Sequence, residues 1–148
     1  MSRPVRASFR RALTSGGRPA RVNLHSMDRL FFILGAVSAA ISVGTGAFGA
    51  HGLRARVAPE MLAIWETASR YQMYHAFGLI VTGWMASRWP SGASNAAGWL
   101  FVAGTVIFSG SLYVMTLTGI RWLGAITPIG GVAFIAAWIV LAWAAGPR

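Results

Sequence analysis

The sequence predicts an all-α polytopic membrane protein, a bundle of four transmembrane helices with a short amphipathic helix between spans one and two. Three observations lead there. Four apolar segments, roughly 30–50, 71–86, 96–117 and 123–145, follow one another with only one long gap. The 148 residues are 55% hydrophobic with a mean hydropathy of +0.57, more apolar surface than a globule of that size can hide from water. Charge is scarce and lopsided: 13 arginines, no lysine and only three acids, Asp28, Glu60 and Glu66.

Residues 1–26 contain Arg, Ser, Gly and Pro without an acid or a long apolar run, which predicts a disordered basic leader ahead of a membrane domain over 27–148. Two origins fit this composition, an organellar targeting segment or an extension upstream of a start at Met27. Seven arginines precede the first apolar segment, and short basic flanks resist translocation, so the amino terminus is expected in the cytoplasm. Four crossings would return the carboxyl terminus to the same side, in a bacterial inner membrane. A pI near 11.9 invites comparison with nucleic-acid binders, but the basic stretch has no interleaved aromatic platform and no nucleic-acid partner is expected.

The first segment is long enough to cross about 30 Å of hydrocarbon with about 20 residues. Gly35, Ala39, Ser42 and Gly46 lie on small-residue tracks that let backbones approach, and predict a central helix. It ends at Gly49-Ala50-His51-Gly52-Leu53. Pro59 suits a first helical turn, with Glu60 near the positive helix end. The stretch from there to Tyr71 reads as an interfacial helix that can run on into the second segment, with Glu66 and Arg70 paired at i,i+4. The third segment includes Ser109, Gly110 and Ser111, whose hydroxyls can bond locally to backbone carbonyls. Thr127-Pro128 opens the fourth, where Gly130 and Gly131, like Gly110, are expected at helix contacts.

Four stretches then acquire a common meaning: Gly46-Ala47-Phe48-Gly49-Ala50-His51-Gly52-Leu53, Tyr71-Gln72-Met73-Tyr74-His75-Ala76, Phe108-Ser109-Gly110-Ser111-Leu112-Tyr113 and Thr127-Pro128-Ile129-Gly130-Gly131. In this order they resemble the YgdD family of small integral membrane proteins, also grouped as domain of unknown function 423. The resemblance covers about 27–145 and implies a four-helix inner-membrane protein whose members begin near the position of Met27. It implies no enzyme activity, cofactor or substrate.

Chemistry has few places to reside. The absence of cysteine excludes disulfides, thiolate catalysis and Cys-ligated metal centres. His25, His51 and His75 do not form HExxH, and Gly44-Thr45-Gly46-Ala47-Phe48-Gly49 lies in an apolar helix, where it reads as packing and not as dinucleotide binding. One polar cluster stands out, His51, Glu66, Arg70, Gln72 and His75, which a folded-back loop could gather at one membrane edge. The expectation is a structural or accessory membrane protein, not an enzyme, with no cofactor or metal, surrounded by membrane lipids and acting as a homo-oligomer or in a larger membrane complex. The alternative is a small oligomeric transporter or ion-responsive module built on the histidine-containing cluster.

Overall fold

The computed structural model describes residues 24–146, so the predicted leader lies outside the described residues except for its last three, which are helical. Helix α1 (Leu24–Phe48) is a run of small and apolar residues, and it passes without a break into a π-helical turn over Gly49–Leu53. Ala58 is extended, Pro59 occupies the first turn, and α2 runs for 30 residues (Pro59–Arg88). After a short link, the Ser91 hydroxyl accepts the Ser94 N–H at 3.1 Å and caps α3 (Gly92–Gly104). A second π-helical turn (Thr105–Ser109) joins α3 to α4 (Gly110–Thr118). Gly119, at φ 73°, adopts the left-handed conformation that ends α4. A 3₁₀ turn (Arg121–Ala125) leads into α5 (Thr127–Ala144).

Three of these runs, not four, have the length and apolar composition of a membrane span: Met27–Leu53, Gly92–Thr118 and Arg121–Ala144. The predicted bundle of four transmembrane helices is corrected accordingly. The second predicted span, 71–86, belongs to α2, and the amphipathic helix expected ahead of it runs on into it as one continuous helix. The reason is compositional. Helix α2 exposes Glu60, Glu66, Arg70 and Arg88, and it buries Ser69, Gln72, His75 and Thr82 against its neighbours. Its charges point outward and its uncharged polar groups into the protein, and together they bring its average below that of a lipid-facing span. The expected return of the carboxyl terminus to the amino-terminal side required four crossings and does not follow from three.

Helix α2 lies antiparallel along α1. Trp65 near its start meets Gly49, while Gly83 near its end meets the backbone of Asp28 and Phe32. Helices α3 and α5 form the other large contact, and Phe101 and Phe134 from this pair join Phe31 and Leu79 in the main core. Glycine notches receive these rings: Gly78 faces Phe101, Gly98 faces Phe31 and Gly104 faces Phe134.

Candidate functional site

Three helices carry polar side chains at the same i, i+4, i+7 spacing, which places each set on one helical face. On α1 these are Ser38, Ser42 and Thr45; on α2, Trp65, Ser69 and Gln72; and on the α3–α4 run, Ser109, Tyr113 and Thr116. Because α1 and α2 are antiparallel, the first two sets meet in reverse order and zip together. Gln72 Nε2 donates to the Ser38 carbonyl at 3.2 Å. Ser42 Oγ donates to the Ser69 carbonyl at 2.7 Å, and Ser69 Oγ returns the bond to the Ser42 carbonyl at 2.9 Å. Trp65 Nε1 donates to the Thr45 carbonyl at 2.7 Å.

The third set closes the seam from the other side. Tyr113 Oη donates to Gln72 Oε1 at 2.9 Å and lies 2.9 Å from Thr45 Oγ1, so it ties α4 to both other helices. Ser109 Oγ donates to the Ala68 carbonyl at 2.9 Å, and Thr116 Oγ1 to the Met61 carbonyl at 3.3 Å. The π-helical turn at Thr105–Ser109 inserts an extra residue just where Ser109 must face α2, the local adjustment such turns provide. Every participant in this seam is uncharged. Among the described residues no buried side-chain nitrogen or oxygen lacks a hydrogen-bond partner.

The residues singled out as a polar cluster take four different situations. Gln72 is a centre of the seam. His75 is buried one turn along α2, its ring stacked on Phe134 at 3.3 Å between centroids and 5° between planes, with Phe101 and Trp138 nearby. Its Nδ1 donates to the Tyr71 carbonyl at 2.7 Å. Burial pushes its pKa below the ordinary histidine value, against a smaller opposite push from that carbonyl, and so favours the neutral ring. Glu66 and Arg70 are exposed and line an outer groove between α1 and α2, of about 410 Å³, with Tyr74 and Gly46. His51 is exposed in the π-helical turn after α1. Among the described residues no three His, Asp or Glu side chains come together as a metal-binding group would require.

The expected packing residues also divide. A Cβ on Gly35 would strike the Ala76 carbonyl at 2.8 Å and the Ile80 nitrogen at 2.9 Å, and one on Gly130 would strike the Phe108 backbone. Ser42 is buried in the seam and Ala39 is half-buried. Gly46 is tight only against the Ser69 hydroxyl, Gly131 makes an ordinary contact with Phe108, and Gly110 has open space where its side chain would be. Gly83 escaped sequence reasoning because a single glycine in a helix has no periodic signature. Ser38, Thr45, Trp65, Ser69 and Tyr113 were missed although their spacing was a usable signal.

Apolar helices around an uncharged, hydrogen-bonded seam, with large aliphatic and aromatic side chains facing outward, define a small multi-pass membrane protein. The family of unknown function DUF423 matches residues 45–131, which include Thr45, all of α2 and Tyr113. The chain belongs to this family, known also as UPF0382. It is 56% identical over 113 residues to UPF0382 membrane protein SH2409 of Staphylococcus haemolyticus, covering 76% of this chain and 92% of the relative. It is 51% identical over 118 residues to UPF0382 membrane protein YwdK of Bacillus subtilis, covering 79% of this chain and 96% of the relative. No solved structure matches it.

Proposed function

We propose that the protein is a structural or accessory component of a bacterial cytoplasmic membrane, with no catalysis of its own, that works in a homo-oligomer or a larger membrane complex. The observation that carries this reading is the use to which its interior polar groups are put. Catalytic and transport sites hold back polar groups for a substrate, whereas here Ser38, Ser42, Thr45, Trp65, Ser69, Gln72 and Tyr113 bond to one another and to backbone carbonyls. Interhelical bonds of this kind set register and hold helices together in lipid. The histidine-based transport alternative calls for His51, Glu66, Gln72 and His75 along one path, and these residues occupy an exposed turn, an outer groove, the seam and an aromatic stack.

Gentle purification of the protein at native expression level, followed by quantitative mass spectrometry, tests the proposal. A stoichiometric protein partner or a second copy of the chain is the expected result. Recovery as a monomer with ordinary bulk lipid would count against it.

The arginine bias ahead of α1 supports a cytoplasmic amino terminus. Single cysteines placed at positions 20 and 58 and labelled in intact cells check this orientation. With the amino terminus in the cytoplasm, 58 labels from outside and 20 does not.

A further inference from the structure

A second groove, of about 450 Å³, opens between the start of α1 and the end of α2. Its walls are Phe32, Ile33 and Trp84, its floor is the close contact at Gly83, and its mouth carries Asp28, Arg29 and Ser87. Arg88, in the last turn of α2, reaches over Trp84 with its guanidinium carbon 6.0 Å from the ring centroid. Polar and apolar parts are therefore separated along the helix axis. Arg29 sits two residues into the Met27–Leu53 span, and Ile33 lies one helical turn deeper, by about 6 Å.

We infer that this groove binds an anionic glycerophospholipid, with the phosphate between Arg29 and Arg88 and one acyl chain along Phe32, Ile33 and Trp84. Charge complementarity selects the occupant. Arg29 lines the groove and the exposed Arg88 lies over its Trp84 wall, against one lining carboxylate, that of Asp28, whose Oδ1 is already turned back to accept the Arg29 backbone N–H at 2.6 Å. The remaining positive charge stands at the level where a lipid phosphate lies. Phe32, Ile33 and Trp84 are each about half exposed, at 52%, 57% and 52%, and form a largely apolar surface for a hydrocarbon chain to cover. The outer groove at Glu66 and Arg70 lacks this arrangement, since its carboxylate and guanidinium balance.

Lipid titration of the full chain, followed by native mass spectrometry, tests the site with phosphatidylglycerol and phosphatidylcholine as probes. Two double variants are compared, Arg29→Gln with Arg88→Gln in the groove and Arg54→Gln with Arg56→Gln beyond the other end of α1. They remove equal charge from exposed positions, and all four arginines lie outside the polar seam. Wild-type protein is expected to prefer phosphatidylglycerol. The groove variant should lose roughly tenfold of that affinity while its weaker phosphatidylcholine binding is unchanged, and the distal variant should stay within about twofold of wild type. Equal affinity of wild type for the two lipids overturns the assignment, and so does a groove variant that keeps full affinity or a loss of equal size in both variants.

Discussion

The α1–α2 seam and the α3–α5 contact hold helices together by different means. In the seam, hydroxyl, amide and indole groups bond across the helix interface, and the reciprocal Ser42–Ser69 pair admits one register only. Where α5 packs on α3 and the π-helical turn that follows it the contact is shape, with the Phe134 ring seated over Gly104 and Gly130 pressed against the Phe108 backbone. Lipid tails are as apolar as the side chains they would replace, so neither contact is driven by escape from water. The difference teaches that dispersion supplies attraction wherever surfaces fit, while directional bonds decide which fit is adopted.

The largest effect should come from the close backbone approaches at Gly130 and, at the far end of the α1–α2 contact from Trp65, at Gly83, because such an approach has no means of yielding. Gly130→Leu and Gly83→Leu each drive a side chain into neighbouring backbone and should lower stability by about 3 kcal/mol or prevent folding. Gly110→Leu, which enters open space, should stay within about 0.5 kcal/mol of wild type. Denaturation in mixed micelles, followed by tryptophan fluorescence, measures all three. A Gly110 variant as damaged as the other two would break the distinction between close and open glycines.

A smaller effect is expected in the seam. Gln72→Leu removes the acceptor for Tyr113 and the donor to Ser38, and should cost about 1–2 kcal/mol. Adding Tyr113→Phe should cost less in that background than in wild type, because the hydroxyl has already lost its acceptor. Strict additivity in this double-mutant cycle would mean that the Tyr113–Gln72 bond contributes nothing to stability.

The smallest effect is a pH dependence at His75. Its folded pKa lies below the ordinary value of 6.5 because burial disfavours the charged ring. The sign follows directly: the unfolded chain binds the proton more readily, so stability is full above about pH 6.5 and falls as the pH drops below it. A decline of up to about 1.4 kcal/mol per pH unit below that point is the ceiling for one such group. His75→Phe keeps a ring against Phe134 and should flatten the stability profile between pH 7 and 5. An unchanged slope would assign the dependence to another group.

How much of this was legible beforehand differs between residues for physical reasons. Gly35 and Ser42 could be read from small residues four apart. Gln72 stood out because an amide within apolar sequence calls for a partner. Ser38, Thr45 and Ser69 did not, since a hydroxyl in a helix can bond to its own chain, as Thr82 does to the Gly78 carbonyl at 2.8 Å and Thr105 to the Phe101 carbonyl at 2.9 Å. Sequence therefore leaves open whether such a group is spent locally or across an interface. The expected span count failed at α2 for a related reason: hydropathy averages over all faces of a helix, and α2 turns its uncharged polar face toward protein.

The sequence by itself determined that this is a helical membrane protein, because long apolar runs with few charges have no other stable environment. It also determined where α2 begins, through Pro59, since caps and turns depend on residues close in the chain. Tertiary structure alone decided that the three i, i+4, i+7 sets converge, that His75 stacks in an aromatic cluster apart from His51, and that Arg29 and Trp84 line one groove. These facts depend on which helix lies beside which and in what direction. Such choices arise from the sum of many contacts between residues distant in the chain, and no local rule contains that sum.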